Sequence, residues 1–499
     1  MEVQFHKSVC PCLETVICQT QSTEQTQEIR LPDSLPDVGR ILGCWGQFIL
    51  RGKEWRGNGM SVTGGVMAWV LYAPEDESRP QVVDCWIPIQ LKWDFPQTQR
   101  DGAICAVPVL KGVDARSVSA RKLMVRAAVS IKGKATEPVD KEVYTQPSVP
   151  GDVQILKRSY PLEIPQEAGE KPFQLEEELI FPSSMPVAAT LLRYQLFPRI
   201  SEYKVLAGRL VFRGSADLHI FYMADDGSVH RWNWELPFSQ YTELDRDYGS
   251  GATASIQPIV TNLELDRTED GKWLLRAGIS AQYTIFDRLM MELAQDAYSP
   301  YRNVEVQIAP LAIPVRLDEC SQTMKLHKTA EVQAQKVLDT VWYPDDPIVN
   351  REDSLLHIQI PGQFHVLYRD EDGVMQSKPI RSEQEITIPS HGDNMTEISV
   401  EEFPKVSGEV TADGILLTGE TELQLTTYDQ QGVSMIQSLV IGEETQPDPH
   451  RPSLILRRAG DGDLWQLAKS CGSTVSAIMS ANDLADEPPA GQMLLIPVI

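Results

Sequence analysis

One constant offset governs how this chain can fold. "LPDSLPDVGRIL" (Leu31 to Leu42) lies over "FPSSMPVAATLL" (Phe181 to Leu192), with Pro32, Ser34, Pro36 and Leu42 matched by Pro182, Ser184, Pro186 and Leu192 at a shift of 150 residues. "KLMVRAAVS" from Lys122 lies over "KWLLRAGIS" from Lys272 at the same shift, and Tyr72 and Asp76 lie over Tyr222 and Asp226. Three separate segments agreeing without a gap mark a tandem duplication. A third, diverged copy follows: "QFHVLYRDEDGV" from Gln363 echoes "MAWVLYAPEDES" from Met67 and "DLHIFYMADDGS" from Asp217, with Tyr368 placed 146 residues after Tyr222. "DGILLTGETELQLTTYD" stands where "DGKWLLRAGISAQYTIFD" stood, and the proline-rich lead-in survives as "YPDDP" near Tyr343.

Within the echo the apolar residues alternate: Val66, Ala68, Val70 and Tyr72; Ala216, Leu218, Ile220 and Tyr222; Gly362, Phe364, Val366 and Tyr368. Period two is the strand signal. "DDG" at Asp225 and "EDG" at Glu371 then supply the positive φ of a tight hairpin turn, while the first copy predicts a longer loop from Pro74 to Pro80. The matched tyrosines are expected to complete an apolar face with the hydroxyl at its edge. Trp69, His219 and His365, on the opposite face, are expected to pack or to lie on a surface face and not to hold a ligand. Similar alternation elsewhere, with frequent proline and glycine, predicts a mainly β chain of tandem antiparallel β-sandwich or open-barrel modules. The expected modules span 1–157, 158–312 and 313–443, with Val153 to Leu156 closing the first. Short helices are expected at Val187 to Tyr194 and Ala330 to Thr340.

A net charge of −25 disfavours nucleic acid or an anionic membrane as partner. The first twenty residues lack an apolar run long enough for a secretory signal, and no stretch of about 18 apolar residues occurs, so a cytosolic protein with no transmembrane segment is expected. Eight scattered cysteines do not make a disulfide framework. Cys10, Cys12 and Cys18 cluster without a regular fourth ligand and read as thiols, so no metal is expected. Phosphate-cradle, nucleophile-elbow, dinucleotide and zincin motifs are absent. Neighbouring acidic residues on turns diverge instead of facing one cleft. No catalytic residue and no cofactor is expected.

After the polar linker 444–452 the texture changes. Residues 453–499 read strand, helix, helix, strand: Leu454 to Arg457, a helix capped by Asp463 and ended by Gly472, a second capped by Thr474, and Met493 to Ile496 after "PPAGQ". This segment resembles a LysM domain. Leu464, Trp465 and Ala468 fit its first helix, Asn482 and Leu484 its N-x-L, and Gly491, Gln492, Leu494, Ile496 and Pro497 its last strand. "GDGDLW" replaces the usual G-D-T-L-W, removing the threonine hydroxyl that many LysM domains place against N-acetylglucosamine chains. The front of the chain, with "TQEIRLPDSLPDVGRILGCWGQ" and its repeated β-rich units, resembles SipL-like sporulation proteins of spore-forming Firmicutes, which combine tandem DUF3794 (SPOCS) domains with a C-terminal LysM.

The resemblance implies a non-enzymatic scaffold of spore-coat assembly, cytoplasmic in the mother cell and peripheral at the forespore outer membrane. Its LysM would dock onto the coat-basement ATPase, a SpoIVA-like protein. The alternative it carries is a wall-associated protein binding peptidoglycan or a chitin-type glycan. For either ligand the LysM loops are the expected site: Gly460, Asp461, Gly462, Asp463 and Leu464 on one, Ala481, Asn482, Asp483 and Leu484 on the other.

Overall fold

The computed structural model describes the chain except for residues 1, 77–78, 97–100, 312, 353, 390–394, 401–404, 430–432, 446–449, 459–463, 486–487 and 490 and the side chains of Gln146 and Met395. The first repeat has six strands: β1 (Phe5–Arg30), β2 (Val38–Arg56), β3 (Gly59–Pro74), β4 (Gln81–Asp94), β5 (Ala103–Ser119) and β6 (Lys122–Pro147). They form two three-stranded antiparallel sheets, β1-β6-β5 and β2-β3-β4. The second repeat reproduces both, β7-β12-β11 and β8-β9-β10. Its strands are β7 (Gln154–Leu179), β8 (Ala188–Leu206), β9 (Arg209–Ala224), β10 (Val229–Glu243), β11 (Thr253–Arg267) and β12 (Trp273–Tyr298).

The third repeat keeps the plan with broken strands. β13 (Arg302–Pro310) and β14 (Arg316–Ala330) stand where β7 is continuous, and β15 (Lys336–Pro344) and β16 (Ile348–Glu352) stand where β8 is. β17 (Leu355–Arg369) and β18 (Met375–Pro389) follow, then β19 (Met395–Val400) and β20 (Lys405–Thr411), which pair along β21 (Gly414–Tyr428), and last β22 (Ser434–Glu444). β13 pairs with β22, so this repeat too has a long two-stranded arm beyond its sandwich.

Sheet irregularities repeat with the strands. The ladder between the second and third strands of each repeat shifts register at Ile41/Gly43, Leu191/Arg193 and Val337/Asp339. Such bulges re-aim the residue that follows. Gly43, Arg193 and Asp339 therefore occupy matched positions, opposite Leu71, Phe221 and Leu367, and those three apolar residues are buried in one cluster. The three repeats converge there.

The echo first seen in the sequence is the third strand of each repeat. One face lies in its own sandwich core, with Val66, Ala68, Val70 and Tyr72, and likewise Ala216, Leu218, Ile220 and Tyr222, shielded from solvent. The opposite face meets a neighbour: Trp69 packs edge-on against Tyr194 of the next repeat at 5.1 Å. The tyrosine hydroxyls explain the proline lead-in. Tyr72 Oη donates to Pro36 O at 3.0 Å and Tyr222 Oη to Pro186 O at 2.7 Å, so strand and lead-in are tied identically in both repeats. Tyr222→Phe should cost about 0.5–1.5 kcal/mol, the net worth of one part-buried hydrogen bond. Urea denaturation of the variant checks this, and a change below a few tenths would deny the tie any weight.

Several expectations are corrected. Val187 to Tyr194 enters β8 and not a helix, because pairing with β9 outweighs local pattern, with bulges at Ala188/Thr190 and Leu191/Arg193 absorbing its misfit to period two. Ala330 ends β14 and Lys336 starts β15, so the second expected helix is also strand and connector. Val153 to Leu156 does not close the first repeat. Gln154 opens β7 and pairs with Tyr298, so the expected edge at 157 falls inside a strand. "YPDDP" is no lead-in either: Tyr343 pairs with Gln363 at the position Phe197 takes opposite Asp217, and Pro344 and Pro347 interrupt the ladder between β15 and β16. The acidic turns are three-residue loops in which only the glycine is left-handed, Gly227 at φ 80° and Gly373 at φ 78°, with Gly227 N donating to Ala224 O and Gly373 N to Asp370 O. The first copy's loop includes 77–78, outside the described residues.

Candidate functional site

The C-terminal segment folds as β23 (Leu454–Arg458), α1 (Leu464–Cys471), α2 (Val475–Ala481) and β24 (Met493–Pro497), with β23 and β24 antiparallel. Gly472 at φ 60° ends α1, and Ser473 N donates back to Ala468 O. Thr474 caps α2 through Ala477 N at 3.1 Å. Leu464, Trp465, Ala468, Cys471, Ile478, Leu494 and Ile496 form the small core.

The expected loop residues separate into two groups. Gly460, Asp461, Gly462 and Asp463 lie outside the described residues. Leu464 is buried in the core and Ala481 is exposed at the end of α2. Asn482 is a strut: its Nδ2 donates to Ile478 O at 2.8 Å and Leu495 O at 2.6 Å, and its Oδ1 accepts from Leu495 N at 2.8 Å. With both amide hydrogens and the carbonyl engaged, it pins the end of α2 to β24. Asp483 turns the chain at φ 52°, and Leu484 rests half-buried on the core while its N–H bonds Met479 O.

Sequence reasoning missed two features of this domain. The first is its seat on the second repeat. Trp465 Nε1 and Lys469 Nζ both bond the Asp296 carboxylate at 2.8 Å, Tyr298 Oη donates to Ser473 O at 3.0 Å, and the Tyr298 and Trp465 rings meet edge to face at 4.8 Å. Asp296 and Tyr298 lie at the end of β12. Burial beside Asp296 pushes the Tyr298 phenol up to about 12. The second is an apolar outer face on the β23–β24 sheet. Leu454, Leu456, Met493 and Leu495 are 52, 59, 45 and 39 % exposed, and Leu456 stands directly opposite Leu495. "LILRR" and "MLLIP" carry the signal, since both are apolar on two faces where an ordinary half-buried strand alternates.

Among the described residues no helix is long and apolar enough to cross a membrane. Cys10 and Cys12 are buried between the arms of the repeats, and burial raises both thiols.

Comparison with known families agrees with this architecture. Residues 189–268, from β8 through β11, match the family model described as SipL, SPOCS domain, and residues 458–497 match the LysM domain. No curated protein and no solved structure matches the chain. Both matched domains are binding or scaffold types, and SPOCS is tied to sporulation. The β-rich body thus carries a SPOCS domain of the SipL type and the C-terminal segment a LysM domain, a pairing similar to that of SipL-like sporulation proteins.

Proposed function

We propose that the chain is a non-enzymatic adaptor of endospore coat assembly, working on the mother-cell side of the forespore surface. In this reading three β modules form the body and the LysM docks onto a coat morphogenetic protein, the SpoIVA-like ATPase. The observation that carries it is the outer face of the β23–β24 sheet, four large apolar side chains left in water beside a fully formed core. Contiguous exposed apolar area of this kind marks a protein contact. Asn482 supports the same reading, because a side chain whose hydrogen-bonding groups are consumed within the domain has little left for a sugar.

The test is capture of the purified coat ATPase by the full chain, by a chain lacking 451–499 and by the double variant Leu456→Glu, Leu495→Glu. Deletion should abolish capture and the double variant should weaken it at least about ten-fold, the scale of losing apolar anchors at an interface. Undiminished capture by the double variant would remove the sheet face from the site, and undiminished capture by the truncated chain would sink the docking proposal. The LysM match favours a glycan as the second reading. Retention on peptidoglycan, with no capture of the ATPase, would decide for it.

A further inference from the structure

The third strands of the repeats place matched rings at the three junctions: Trp69, His219 and His365. The space beside each has diverged differently. Between the first and second repeats the Trp69 indole is packed against Tyr194. Between the third and first, His365 stands opposite Pro379, and Asp114 brings a carboxylate to the wall. Between the second and third lies a cleft of about 330 Å³, at the lower end of the range for small-molecule sites.

This last cleft is cationic in a strongly acidic protein. Arg231 and Asn233, on one face of β10, and His219, paired with Asn233, look across it to Lys405 of β20 and Thr340 of β15. No carboxylate is among its described wall residues. Among the described residues, Asp339 is held by Arg193 at 2.6 Å and lies 3.6 Å from Arg231, and Asp217 is held by Arg199. The buried Thr340 hydroxyl in its wall has no hydrogen-bond partner among the described residues, a state that a bound group or water relieves. Burial and the positive charges of Arg193 and Lys405 push the His219 imidazole down to about 4, so it faces the cleft neutral at pH 7.

We infer that the cleft between the second and third repeats binds a small oxyanion, a phosphate or carboxylate group held between Arg231 and Lys405 with Asn233 and His219 as further hydrogen-bonding partners. Two cations and neutral polar groups around a concave wall recognise that chemistry through charge-assisted hydrogen bonds. The site is independent of LysM docking.

Titration calorimetry of the full-length protein with inorganic phosphate and, separately, with citrate at pH 7 and low ionic strength tests it. Saturable one-site binding of at least one anion is expected, and the anion that responds names the class. Arg231→Gln and Lys405→Gln should each weaken it about ten-fold, as expected for a charged hydrogen bond, while Lys204→Gln, an exposed cation outside the cleft, should leave it unchanged. Arg193 keeps its bonds to Asp339 in the Arg231 variant, so the fold is retained. The absence of saturable binding by both anions, or equal affinity in Arg231→Gln and the unaltered protein, overturns the inference.

Discussion

Asp339→Ala is expected to destabilise the β body by about 3–5 kcal/mol, the scale of stranding one partner of a buried ion pair. Arg193 and Asp339 meet at 2.6 Å with side chains only 5 and 2 % exposed, where the second and third repeats join. The Arg193 guanidinium also lies over Trp45 and Phe221, at 5.2 and 5.7 Å from the ring centroids, so it cannot swing to solvent when its carboxylate is removed. Those aromatic faces recover part of the loss but carry no full charge. A pair of well-packed apolar residues should do far better than a broken pair. The double variant Arg193→Met, Asp339→Leu is therefore expected to recover most of the stability. Guanidinium denaturation of the single and double variants measures both, and a loss below about 1 kcal/mol in Asp339→Ala would mean that the junction is not held by this pair.

The position has a history within the chain. Gly43 takes the matched place in the first repeat, where the Trp45 indole covers it so closely that an added Cβ would lie 2.5 Å from the ring. Three copies of one strand thus put glycine, arginine and aspartate at the point of convergence. An arginine from one copy and an aspartate from the next form the buried pair, while glycine makes room for the aromatic lid. Diverged charges of this sort specify which faces meet, a role that buried polar pairs fill in some other systems at a cost in stability.

The repeat was legible because its strands keep register over 150 residues, and a strand reveals itself locally by alternation. The LysM was legible because its caps, Thr474 and Gly472, and its apolar positions are local too. What stayed hidden was long-range. Nothing within a few residues of Tyr72 shows that its hydroxyl reaches Pro36 O, although the parallel recurrence of both residues was the available clue. The helix expected at Val187 to Tyr194 failed because bulges disturb period two where the strands turn towards a neighbouring repeat. The seat of the LysM on Asp296 and Tyr298 could not be read at all, since those residues belong to a distant strand with no pattern of their own. Among the site residues, Asn482 fits the family pattern and also ties α2 to β24, a structural part that its sequence position alone does not show.

Glu397→Ala should have the second large effect, about 2–4 kcal/mol at pH 7, by leaving two half-buried ammonium groups without their counter-ion. Glu397 of β19 is 15 % exposed and bonds Lys132 Nζ at 2.7 Å and Lys134 Nζ at 3.2 Å, both on β6, joining the third repeat to the first. Lys134 also bonds Tyr428 Oη at 3.1 Å. The place is again a matched one. Asp429 stands over Asp287 in the aligned sixth strands, which sets Gln424 over Gln282, and Gln282 lies 150 after Lys132. Each of the three reaches the fifth strand of a neighbour: Lys132 to Glu397, Gln282 to Ala106 N and O at 2.9 Å, Gln424 to Gln257 at 3.0 Å. Of these three contacts only the one to Glu397 is itself an ion pair, although Lys53, paired with Glu170 at 2.9 Å, also donates to Gln282 Oε1 at 2.7 Å. Burial alone would raise the Glu397 carboxyl, but the two ammonium groups outweigh it and hold the folded value below the ordinary range. A depressed carboxylate stabilises fully above its unfolded value of about 4.3 and loses that contribution as pH falls through the folded value. The gap between Glu397→Ala and the unaltered protein should therefore be constant from pH 8 to 6 and narrow below about pH 4. Gln424→Ala, which breaks the neutral contact to Gln257, should show a smaller loss that does not change over the same range. Parallel pH dependences for the two variants would remove the ionic junction from the account of how the three repeats close.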